Sequence, residues 1–137
     1  MVDWSSWTVA GVNEVGFGEG WHDTIPEYPS YRVLSPGGGT CRLLRPAPGR
    51  AVVQVRLFFH VERPPVPAIE GRVGKHTWIW RPEPGWVTLQ HLLLPGRGVA
   101  TIRLSVIADG EPWFEARVVD VRLFRPNDPR VRPGDLS

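Results

Sequence analysis

Apolar and polar residues alternate along this chain in short runs separated by turn formers. The clearest run spans residues 51–61, where Val53, Val55, Leu57, Phe59 and Val61 share one parity and Gln54, Arg56 and His60 share the other. A period of two over this length, carried by β-branched and aromatic side chains, predicts a strand with one buried and one wetter face. Shorter runs predict strands at Thr40–Arg45, Ala68–Val73, Thr77–Arg81 (Trp78 and Trp80 on one face), Trp86–Leu94 (Val87, Leu89, His91 and Leu93) and Thr101–Ala108 (Ile102, Leu104, Val106 and Ala108). Tyr31–Leu34 begins another, and residues 1–12, with Trp4, Trp7 and Val9, read as an opening edge strand. The last run, Trp113–Arg125, changes parity: Phe114, Ala116 and Val118 fit one face, then Val119, Val121 and Leu123. That switch predicts a β-bulge near Val118-Val119, which re-aims Asp120 and Arg122.

No segment has the apolar stripe of a covering helix, so the buried face of residues 51–61 needs a second sheet. The expected fold is an all-β antiparallel β-sandwich of jelly-roll type, with about nine strands. It forms one domain over residues 1–125, followed by a flexible tail over 126–137 with three prolines and several charges. The connections carry turn chemistry: Pro36-Gly-Gly-Gly39, Pro46-Ala-Pro-Gly49, Gly74-Lys75, Pro82-Glu-Pro-Gly85 and Pro95-Gly-Arg-Gly98. Asp109-Gly110 is a two-residue signal of the hairpin kind.

Composition narrows the functional classes. A net charge of +2, with arginines scattered among acids, does not suit nucleic acid. No apolar run is long enough to span a bilayer and no signal peptide precedes Trp4, so a soluble, cytoplasmic chain is expected. The single cysteine, Cys41, falls in a strand and reads as a small buried hydrophobe. Seven tryptophans in 137 residues are the main functional hint, because an indole is costly to expose and needs an N–H partner when buried.

Enzyme signatures are weak. There is no Gly-x-Ser-x-Gly elbow, and Gly74-Lys-His-Thr77 has neither the glycine spacing nor the following helix of a phosphate loop. The four histidines (22, 60, 76 and 91) and Cys41 lack zinc-ligand spacing, and His60 and His91 read as ordinary sheet residues. Asp23 and Glu27 could form a glycosidase pair, but they fit better as loop carboxylates holding backbone N–H groups or arginines. Glu14, Glu19 and Asp23 are conceivable ligands of a structural Ca²⁺, with no recognisable loop spacing; otherwise no cofactor is expected.

The aromatic constellation carries more. A protein binds a sugar by laying Trp or Tyr against its C–H face and aiming polar groups at its hydroxyls. The loop over residues 17–32 supplies that mixture in Trp21, His22, Asp23, Glu27, Tyr28, Tyr31 and Arg32, and long irregular loops tend to be functional. Trp78, Trp80, Trp86 and Trp113 are further candidates, each of which could instead fill the core. Arg32, Asp120 and Arg122 invite a structural reading: an Arg–Asp ion pair bridging the loop to the last strand would pin the loop.

The ending Asp109-Gly-Glu-Pro-Trp-Phe-Glu-Ala-Arg-Val-Val-Asp-Val-Arg-Leu123 resembles the closing hairpin of jelly-roll carbohydrate-binding modules with a galactose-binding-like fold. Gly20-Trp-His22, then Glu27 and Tyr31-Arg32, is similar to a segment of small β-sandwich domains attached to bacterial polysaccharide glycosyltransferases. Those domains often end in an Asp-x-Arg strand, as at Asp120–Arg122. The resemblance implies glycan binding without catalysis. The expected function is therefore a non-catalytic carbohydrate-binding domain whose partner is a polysaccharide or oligosaccharide. The alternative is a structural or assembly module, such as a homo-oligomeric surface or decoration protein, using Trp and Arg as interface anchors.

Overall fold

A computed structural model describes residues 32–34, 37–108 and 113–132. Its strands are β1 (Arg32–Val33), β2 (Gly39–Leu44), β3 (Val52–Val61), β4 (Ala68–Val73), β5 (His76–Trp80), β6 (Gly85–Leu92), β7 (Val99–Ile107) and β8 (Phe114–Phe124). They form two antiparallel sheets, β1-β8-β3-β6 and β2-β7-β4-β5, packed as a sandwich. Seven strands are substantial; β1 is a two-residue pairing of Arg32 with Val118 and Val33 with Arg117. The expected opening strand over residues 1–12 lies outside the described residues.

β3 is central to the first sheet, paired with β6 on one side and β8 on the other. Its inward set, Val53, Val55, Leu57 and Phe59, is fully buried against Leu43, Ile102 and Leu104 of the facing sheet and Ala116, Val118, Val121 and Leu123 of β8. The alternation visible in the sequence is thus the division between core and outer face.

At nearly every connection the chain crosses between sheets. Among the described strands only β4 and β5 are consecutive and paired, through a turn at Gly74-Lys75. Gly74 has φ +60°, a conformation that suits glycine. This hairpin is all that Gly74-Lys-His-Thr77 forms. Asp109-Gly110 does not close a hairpin, because β7 and β8 belong to different sheets. The sheet on which the next apolar face is buried decides which strands pair.

The predicted bulge is present. The β3–β8 register runs Arg56↔Asp120 and then Leu57↔Val118, so it steps over Val119. The skipped residue resets the parity, so Val118 and Val121 both face the core.

Of the segment expected as a flexible tail, residues 126–132 are described, and they pack on the outer face of the first sheet. Val131 buries itself with Phe124 and Val52 in a second small core, and the Arg130 guanidinium lies 4.3 Å from the centre of the Phe124 ring. Two buried glutamines fasten it. Gln54 Nε2 donates to Gln90 Oε1 (2.9 Å) and to the Arg130 carbonyl (3.0 Å). Gln90 Nε2 donates to the Arg132 carbonyl (2.9 Å), and Gln90 Oε1 accepts from Arg132 N–H (3.0 Å). Asp128 closes the turn, accepting from the Arg130 backbone N–H and Nε, and the Arg130 side chain holds its carboxyl below the ordinary range. Stability from that pair is therefore present above the ordinary carboxylate range and is lost as pH falls through the lowered value. Replacing Gln90 with Leu strips both bonds to Arg132 and the one from Gln54, an expected cost of about 2 kcal/mol. Limited trypsin digestion checks the docking: the variant is cut faster after Arg130, whose following residue is Val131, while the sandwich stays intact.

Candidate functional site

The outer face of the first sheet carries side chains in cross-strand rungs from β8 through β3 to β6. They run Arg122–Gln54–Gln90, Asp120–Arg56–Thr88, Arg117–Phe58–Trp86, and then Glu115–His60. The first rung lies under the C-terminal segment. The others form a surface whose character changes from ionic to aromatic.

Asp120 is the buried centre of the ionic part, with 1% of its surface exposed. It accepts from Arg56 Nε (3.0 Å to Oδ1, 2.8 Å to Oδ2) and Nη2, and Arg122 Nη2 stands 3.3 Å from Oδ2. The hydrogen bonds to Asp120 raise the Arg56 pKa above its ordinary value, against partial burial, which lowers it. Asp120 thus sits between Arg122 of its own strand and Arg56 of β3, and Arg56 is the partner that grips it. Arg32 joins β8 through its backbone, and its side chain lies outside the described residues.

One rung further the surface turns aromatic. Phe58 meets Trp86 edge-on (5.2 Å between centres), stacks with His60 (6.5 Å), and His60 meets Trp113 edge-on (5.3 Å). The Arg117 guanidinium sits 5.7 Å from the Phe58 ring centre and donates to Glu115 (2.6 Å). Trp86 is 62% exposed and Trp113 40%. Rungs on one face repeat about every 7 Å along a strand, so the ionic and aromatic rungs together span about 14 Å.

A cavity of about 540 Å³ opens between the ionic rung and Trp86. Its described lining is Arg56, Trp86, Val87, Thr88, Leu89, Val119 and Arg132. The bulge residue supplies part of it, and the C-terminal segment supplies Arg132.

The remaining sequence candidates divide sharply. Trp78 and Trp80 are buried core residues at 7% and 6% exposure and offer no surface to a ligand. Their shared face, read from parity, is the inner one. Trp80 Nε1 donates to the Gln90 carbonyl (2.9 Å), tying β5 to β6 across the sheets. Trp78 lies flat against His91 (4.1 Å, 7° between planes), and His91 Nε2 is 2.8 Å from His76 Nε2. His91 is thus a packed sheet histidine. His60, also in a strand, faces outward in the aromatic strip. Trp21, His22, Asp23, Glu27, Tyr28 and Tyr31, and the conceivable Ca²⁺ ligands Glu14 and Glu19, lie outside the described residues. Among the described residues no three His, Cys, Asp or Glu side chains gather as a metal site. Cys41 is buried, which pushes its thiol up to about 12 and keeps it protonated and unreactive.

Phe58, Arg56 and Arg117 were not candidates from sequence. The signal for Phe58 was its parity: it shares the wetter face of β3 with Gln54, Arg56 and His60, where a large apolar ring is out of place unless it serves a surface role.

Comparison with models of known protein families and with curated proteins finds no match for this chain. What the face can do follows from its chemistry. It offers a flat aromatic strip, a cavity edged by guanidinium groups, and a buried carboxylate already committed to arginines.

Proposed function

We propose that this chain is a non-catalytic carbohydrate-binding domain that takes a glycan on the outer face of the first sheet. The observation that carries the reading is the exposed strip of Trp86, Phe58, His60 and Trp113, bordered by Arg117 and Glu115. Exposed indoles beside paired polar groups suit a ligand with apolar C–H faces and a rim of hydroxyls. Binding without catalysis is favoured because Asp120, the carboxylate nearest the cavity among the described residues, is spent on Arg56 and Arg122.

The strand order supports a jelly roll. β1 pairs β8, β2 pairs β7, β3 pairs β6 and β4 pairs β5, the nested pattern of one long hairpin folded over on itself. Double-sheet jelly rolls recur among lectins, which makes the fold compatible with the proposal without selecting it.

The test is titration of tryptophan fluorescence with a panel of oligosaccharides. Trp86→Ala is expected to weaken binding about tenfold, since one aromatic stacking contact is worth about 1.4 kcal/mol at most. A wild-type protein that answers to no oligosaccharide ends this reading. The assembly-module reading draws on the same exposed Trp86 and Arg117, because Trp and Arg are preferred interface anchors. Light scattering separates the two: a stable oligomer that dissociates with Trp86→Ala favours assembly.

A further inference from the structure

We infer that the glycan taken at this site is acidic, carrying a carboxylate or sulfate that docks against Arg56 in the 540 Å³ cavity beside Trp86. This rests on the carbohydrate reading above and specifies its ligand class.

The inference comes from counting donors and acceptors. A neutral sugar presents hydroxyls, each of which donates as well as accepts, and sites that hold them need acceptors. The polar side chains among the described lining residues are two guanidinium groups and the Trp86 indole N–H, which only donate, and the Thr88 hydroxyl, which does both; none carries a carboxylate or amide oxygen. Such a lining is matched by a ligand rich in acceptors.

Arg56 is held ready for that role. Asp120 takes its Nε and Nη2 and fixes the plane of the guanidinium, while Nη1 has no partner among the described residues. Its side chain is 46% exposed, so the free edge can be reached. Nor does Asp120 cancel the local charge. One carboxylate serves both Arg56 and Arg122, which leaves the three groups with a net positive charge. A planar anion on a fixed guanidinium edge is a strong pairing, and Trp86 beside it can cover the sugar ring that bears the anion.

The experiment titrates the full chain with an oligogalacturonate, a sulfated oligosaccharide, a neutral oligosaccharide of matched length and inorganic sulfate, each at 50 and 500 mM NaCl. The expected result is at least tenfold tighter binding of an acidic oligosaccharide than of the neutral one, with the gap closing at high salt. Arg132→Ala and Arg56→Gln are expected to narrow the gap, and Trp86→Ala to weaken both kinds of ligand together. The oligogalacturonate and sulfated arms identify which anion is preferred, and preference for either supports the inference. Equal or tighter binding of the neutral sugar overturns it while leaving carbohydrate binding intact. Sulfate alone binding as tightly as the oligosaccharides also overturns it. Binding of none of the sugars overturns both readings.

Discussion

Gly71→Ala is expected to destabilise the protein by about 3 kcal/mol, the upper end of the overpacking range. For a domain of this size that lowers the melting temperature by roughly 10 °C. Gly71 lies within β4, opposite Trp78 on β5 and Leu104 on β7. The Trp78 indole lies directly against it, so a Cβ at this position would overlap the ring, 2.6 Å from Nε1 and closer still to Cε2 and Cζ2. The ring has nowhere to go. His91 stacks on it at 4.1 Å, Trp80 meets its edge at 5.5 Å, and His76 lies beside both, 5.5 Å from Trp78 and 5.0 Å from His91. Trp78 Nε1 is buried with no hydrogen-bond partner among the described residues, so packing alone sets the ring's position. A double-mutant cycle with Trp78→Leu checks the cause. Shrinking the ring should recover at least about 1 kcal/mol of the Gly71→Ala loss, because contacting residues couple. Strictly additive losses would show that the glycine matters to the strand and not to the indole.

This cluster marks the limit of what could be read beforehand. Strand positions follow from alternation, because a residue's parity is a local property: Ala68–Val73 is found as expected, and the parity break at Val118-Val119 locates the bulge. Sheet membership is not local. Asp109-Gly110 looks like a hairpin turn, yet its flanking strands lie in opposite sheets. Tryptophan placement fails for a related reason. Trp78 and Trp86 are equally apolar, and only the pairing of Trp78 with Gly71 and of Trp86 with Phe58 sends one inward and the other out. Of the candidate site, Trp86 and Trp113 were visible as surplus indoles and Asp120 as a re-aimed acid. Arg56, from the far side of the ladder, needed the register. The docked segment to Arg132 was hidden because its anchors are backbone groups meeting Gln54 and Gln90, which no pattern within the segment reveals.

The second large effect falls on Asp120. Asp120→Ala is expected to cost about 2–3 kcal/mol. Breaking a fully buried ion pair by removing one partner costs about 3–5 kcal/mol. The reduction is for Arg56, which is exposed enough to regain water. Arg122 is less fortunate: its Nε is already buried without a partner, and losing Asp120 removes its only carboxylate among the described residues. The bulge is what makes the arrangement possible. Without Val119 as an extra residue, β8 would continue the parity of Ala116 and Val118 and drive the Asp120 carboxylate into the apolar core. The strand spends one ladder position to bring that charge outside, where two arginines meet it. Chemical denaturation of wild type, Asp120→Ala and Asp120→Asn separates the contributions, since Asn keeps a hydrogen-bond acceptor for Arg56 and loses the charge. The Asn variant should fall between the other two. An Asp120→Ala protein as stable as wild type would mean the ion pair only offsets its own desolvation. Arg56 would then owe its fixed plane, and with it the free edge that faces the cavity, to something other than Asp120.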